Sequence, residues 1–136
     1  MKKTLLFLFF AVIGCLSSYA AGDWLFIGEN NEFKFYINSD ITEKYGEYRV
    51  WEKYEYKKAK KLGSGKRAKY YSSAVFLVEY DSDFTRSRLL SSTYYSKRGN
   101  VVDSFSYEYS DWVYIVPDSV GEFIVEAIQE ILDYYE

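Results

Sequence analysis

At 136 residues the chain is long enough for one modest core and too short for two. It contains no histidine, so Ser-His-Asp and Cys-His catalytic arrangements and histidine-based metal sites are excluded. Seventeen cations against 20 anions leave a net charge of −3, the wrong sign for general nucleic-acid binding, which depends on neutralising phosphates.

The N-terminus reads as a secretory signal peptide. Met1-Lys2-Lys3 is a positive leader, Leu5 to Gly14 is an apolar run, and the small residues of Ser17-Ser18-Tyr19-Ala20-Ala21 follow. The run falls short of the ~20 residues of a spanning helix. Ser18-Tyr19-Ala20 fits an ordinary cleavage site, which removes residues 1–20 and leaves a domain over residues 21–136. Val12-Ile13-Gly14-Cys15 also resembles a lipobox, in which Cys15 is lipidated and the signal ends before it. The first cut is preferred, because a lipid on Cys15 leaves only a short tether before Trp24. Cys15 is the only cysteine, so the exported domain has no disulfide and no thiolate for a metal, and must rely on its core. Losing residues 1–20 takes away two lysines and no acid, leaving 15 cations, 20 anions and a charge of −5.

Strand follows strand after that. Trp24 to Gly28 and Phe33 to Ile37 are rich in aromatic and β-branched residues and are separated by Glu29-Asn30-Asn31, a first hairpin. Asn38-Ser39-Asp40 and Tyr45-Gly46 turn the chain before Tyr48 to Tyr56, where large apolar and charged residues alternate as in a strand with one wet face. Tyr70 to Tyr80 places Ala74, Phe76, Val78 and Tyr80 on one face. Asp81-Ser82-Asp83 reverses direction, Phe84 to Tyr95 runs back, Lys97-Arg98-Gly99-Asn100 turns, and Val101 to Tyr107 adds a strand. Strands so close in sequence pair antiparallel. At the C-terminus Ser119-Val120-Gly121-Glu122 has capping-box spacing, and Phe123, Ile124, Ala127, Ile128, Ile131, Leu132 and Tyr135 recur at helical spacing. The expected fold is α+β: one antiparallel meander sheet of about six strands with a single amphipathic C-terminal helix packed on it.

Charge is concentrated in one place. Lys57, Lys58, Lys60, Lys61, Lys66, Arg67 and Lys69 surround Gly63-Ser64-Gly65 with no acid among them, which reads as a long hairpin with a basic tip. Such a tip is either a solvated, aggregation-resistant loop or a docking site for an anionic partner such as a sulfated glycan, a lipid head group or an acidic protein surface. Gly63-Ser64-Gly65 lacks the phosphate-loop pattern, so no nucleotide or other cofactor is indicated. Asp81 and Asp83 could in principle serve acid-base work or hold calcium, but aspartate favours turns through bonds to nearby amides. No enzyme is expected.

The ordered set Asp23-Trp24-Leu25-Phe26-Ile27-Gly28, Phe35-Tyr36-Ile37-Asn38, Val50-Trp51, Tyr71-Ser72-Ser73, Glu79-Tyr80-Asp81, Arg88 to Ser96, Trp112 and Ile115-Val116-Pro117 resembles the surface-adhesin protein E family of Gram-negative bacteria. That resemblance implies an exported protein of the periplasm, outer membrane or cell surface, sometimes lipid-anchored and able to form a homodimer. It also implies adhesion to host matrix or plasma proteins. Many members carry cysteines where this chain has Ser82 and Gln129, so the resemblance further implies loss of a staple between turn and helix. Two function classes follow. One is a surface binding protein whose Arg86, Arg88, Tyr94 and Tyr95 are contact candidates, since tyrosine offers contact area and a hydroxyl at low entropic cost. The other is a periplasmic structural, assembly or inhibitor protein that meets only bacterial partners.

Overall fold

A computed structural model of the protein describes residues 22–135; the expected signal peptide and Cys15 lie outside the described residues. Among the described residues eight strands form one antiparallel sheet. They are β1 (Trp24–Glu29), β2 (Phe33–Asn38), β3 (Thr42–Lys44), β4 (Glu47–Leu62), β5 (Lys69–Tyr80), β6 (Arg86–Tyr95), β7 (Val101–Ser106) and β8 (Val113–Tyr114). The path β1-β2-β4-β5-β6-β7 is a meander, as the close spacing of the strands requires. The count exceeds six because of β3, which continues the line of β2 beside β4, and β8, which pairs with Arg86 and Ser87 of β6. Three and two residues long, they are defined by the neighbours they pair with and show no periodicity of their own.

Helix α1 (Val120–Tyr135) covers one face. Its Ile124, Val125, Ala127, Ile128 and Ile131 join Leu25, Ile27, Phe35, Ile37, Val50 and Tyr80 in a single cluster. Burying such side chains contributes ~1.5 to 3 kcal/mol each, which for a disulfide-free domain of this size is the main source of stability. Close approach is possible because β1 carries Gly28 at a bulge, where a Cβ would stand 3.3 Å from Phe35 and 3.5 Å from Phe123. The capping box forms in modified geometry. The Ser119 hydroxyl accepts from the Glu122 amide, while the Glu122 carboxylate reaches the amide of Asp118 instead of that of Ser119. Ser82 and Gln129, the two positions of the implied lost staple, are both exposed.

Register assigns the faces. Tyr48, Val50, Glu52, Tyr54 and Tyr56 of β4 lie beside Tyr80, Val78, Phe76 and Ala74 of β5 on the helix side. Trp51 and Lys53 point the other way with Leu77 and Val75. The alternation in β4 therefore holds, with one exception: Glu52 is the charged residue that falls on the core side. No residue of β6 or β7 enters the core cluster, so the core lies over β1, β2, β4 and β5.

Candidate interaction surfaces

The basic hairpin forms as the spacing predicts. β2 pairs with β4 only as far as Tyr56, and β6 pairs with β5 only from Ser73, so the strand ends beyond those points pair with each other alone. Gly63 and Gly65, with φ of 89° and 71°, take the left-handed conformations that reverse the chain, and a short 3-10 turn over Gly65–Arg67 completes the tip. Of the seven cations, three are paired with acids of β1, the β1-β2 turn and β7. Lys57 pairs with Glu29 at 2.9 Å, Lys60 with Glu32 at 3.3 Å and Lys69 with Asp103 at 3.9 Å. Lys58, Lys61, Lys66 and Arg67 are exposed and have no acidic partner among the described residues. The tip is thus a smaller, cleaner positive patch than the sequence suggests.

Aromatic rings run from the core out to this hairpin on the helix side. Phe123 meets Phe35 at 5.7 Å, Phe33 meets Tyr54 at 5.0 Å and Tyr56 at 5.8 Å, Tyr56 meets Tyr71 at 5.5 Å, and Tyr71 meets Tyr94 at 4.7 Å. Most are edge-on contacts, the geometry that the ring quadrupole favours. Tyr94 also touches Phe76 and Phe105, so its ring is a packing element of the half of the sheet beyond the core cluster.

Arg86 and Arg88 lie on the opposite face, and so does Tyr95. The four contact candidates are therefore split between two surfaces, because β6 alternates its side chains. Neither arginine is a free charge. Arg88 places Nη2 2.6 Å from Glu79, Arg49 approaches the same carboxylate at 2.9 Å, and Arg86 pairs with Asp81 at 3.1 Å. Both Arg86 and Arg88 stack on Trp112, at 5.4 and 4.4 Å from its ring centre. Burial pushes the Glu79 carboxyl up, but the bonds and charges of Arg49 and Arg88 outweigh it and hold the group below the usual glutamate range. Further along this face Lys53 lies over the rings of Trp24 and Tyr36, and burial lowers its ammonium below the usual lysine range.

Asp81 is a turn residue. Its carboxylate accepts from the Thr85 amide and hydroxyl and from the Arg86 amide and guanidinium. Among the described residues no group of three Asp, Glu, His or Cys could hold a metal ion, and no helix is long and apolar enough to cross a membrane.

The family model for Surface-adhesin protein E matches residues 24–128. The chain belongs to that family. The matched range of this surface-adhesin E protein contains every strand and the first half of α1, so the hairpin tip, the ring series and the arginine pairs all lie within it. Neither a curated protein nor a solved structure matches the chain.

Sequence reasoning passed over Glu52, Arg49 and the stacking role of Trp112. A glutamate inside an alternating strand looks like wet-face charge, and only the register places Glu52 on the core side. There it is 4% exposed and accepts hydrogen bonds from the hydroxyls of Tyr80 and, at 3.3 Å, Tyr54.

Proposed function

We propose that this surface-adhesin E protein is an exported, non-enzymatic binding protein of the bacterial envelope, an adhesin that grips host matrix or plasma components by an anionic surface such as a sulfated glycan. The observation that carries this reading is the hairpin tip. In a chain of net negative charge it gathers Lys58, Lys61, Lys66 and Arg67, unneutralised, past the ends of both flanking strands. A projecting cationic tip raises the local concentration of a polyanion and contacts it without the body of the protein intervening. Family membership supports the adhesive role.

Intact cells bearing the wild type or the variant Lys58→Gln, Lys61→Gln, Lys66→Gln, Arg67→Gln are compared for adhesion to a heparan-sulfate surface. Adhesion should fall while the amount of surface protein, read by external antibody, stays the same. Equal adhesion removes the tip as the contact. A protein that external trypsin and antibody never reach is periplasmic, and the adhesin reading then gives way to an envelope-assembly role.

A further inference from the structure

A hollow of about 370 Å³ opens between the start of α1, the helix-side face of β4 to β6 and the loop that carries Ser110 and Asp111. That volume lies within the ~300 to 1,000 Å³ range of small-molecule sites. Val78, Leu89, Val113 and Ile124 give it apolar walls; Glu52, Tyr54 and Tyr80 form one end of its polar lining, and Ser87, Ser110 and Asp111 contribute to the rest.

At the Glu52 end of that lining the hydrogen-bond inventory is one-sided. Tyr80 and Tyr54 spend their hydroxyl protons on Glu52, and Ser110 spends its own on the Leu89 carbonyl at 2.5 Å. Each Glu52 oxygen accepts one tyrosine, whereas a carboxylate has about four acceptor sites, so acceptor capacity remains and these donors are used up. No ion pair neutralises Glu52 among the described residues. A ligand that engages Glu52 must therefore bring donors and, preferably, a positive charge. We infer that the cavity is a binding site for a small organic ammonium ion, its apolar body against Leu89, Val113 and Ile124 and its nitrogen donating to Glu52 between the Tyr54 and Tyr80 rings. An ammonium has three donors and no acceptor, and aromatic faces attract it. A second hollow, of about 340 Å³ beside Phe123 and Gly28, has no buried carboxylate in its lining, since its acids Glu29 and Asp118 are exposed.

Binding should follow the charge on Glu52, whose carboxyl burial pushes up to about 7. The other titratable or charged groups lining the cavity are Tyr54, Tyr80, Arg88 and Asp111; α1 contributes only Gly121 and Ile124. Tyr54 and Tyr80 stay neutral, both raised by burial and by Glu52, and the Arg88 guanidinium is held by Glu79.

The test titrates the protein with benzylamine and with benzyl alcohol as the neutral counterpart, following the Gly121 and Val113 amides by NMR. Saturable shifts are expected with benzylamine at pH about 8, weakened at least ~tenfold at pH about 5.5, where Glu52 is protonated. They should be absent with Glu52→Gln and also with Val113→Trp, which plugs the exposed mouth without touching the core. No saturable shift with benzylamine, an equal response to the alcohol, or undiminished amine binding by either variant overturns the proposal.

Discussion

Tyr80 donates its hydroxyl to Glu52 beneath α1, and the carboxylate that receives it has no ion-pair partner among the described residues. Burial dominates there and raises the folded pKa to about 7 from an unfolded value of 4.5, against the opposing bonds of Tyr80 and Tyr54. Between those two values the folded protein keeps a proton that the unfolded chain has released. Stability from this group is thus full below the unfolded pKa and is lost as pH rises through the folded one, a loss of roughly 3 kcal/mol. Glu79 and Asp81 are shifted down, so their contributions run the other way and fade as pH falls towards the acid range. Glu52→Gln isolates the first effect. Urea unfolding should show the variant gaining on the wild type between pH about 5 and about 8, by ~1 to 3 kcal/mol.

Packing of α1 should dominate the thermodynamics. Ile128 is fully buried in the core cluster, and Ile128→Ala should cost ~3 kcal/mol. Phe123 is half-buried against Phe35 and Gly28, so Phe123→Ala should cost somewhat less, ~2 kcal/mol. Chemical denaturation measures both. Wild-type stability in Ile128→Ala would mean that the helix is not docked.

Glu79 sits between two arginines, with its side chain 3% exposed while those of Arg49 and Arg88 are 38% and 31% exposed. Either arginine alone can keep the carboxylate paired, so Arg49→Ala or Arg88→Ala should cost only ~1 kcal/mol. Removing both strands a buried charge, and the double variant should lose ~3 kcal/mol or more, beyond the sum of the singles. A double-mutant cycle from denaturation midpoints reads the coupling. Simple additivity would show that Glu79 is better solvated than its burial indicates.

Much of this architecture is legible in the amino-acid order alone. Strand runs and turn residues lie close together in the chain, which forces antiparallel order, and the helical period of Phe123 to Leu132 is unambiguous. The hairpin tip announces itself through lysine density and two glycines. What escapes is whatever depends on a partner distant in sequence. Lys57, Lys60 and Lys69 look as free as Lys58 until β1, the β1-β2 turn and β7 bring Glu29, Glu32 and Asp103 beside them. Arg88 and Tyr94 look like one surface until strand alternation parts them. Glu52 reads as solvent-facing because its neighbours in β4 do carry the wet-face charges, and its burial is a property of the helix laid over it.

The central claim, that the hairpin tip holds an anionic partner, is tested most directly by salt elution from heparin. Two variants are compared: Lys58→Gln, Lys61→Gln, Lys66→Gln, Arg67→Gln, which removes the unneutralised cations, and Lys57→Gln, Lys60→Gln, Lys69→Gln, which removes the paired ones. Retention by free charges is screened by salt over a Debye length of ~10 Å at moderate ionic strength. The first variant should elute at clearly lower salt than the wild type with an unchanged melting temperature, and the second close to the wild type. Elution of the first variant with the wild type would contradict the claim.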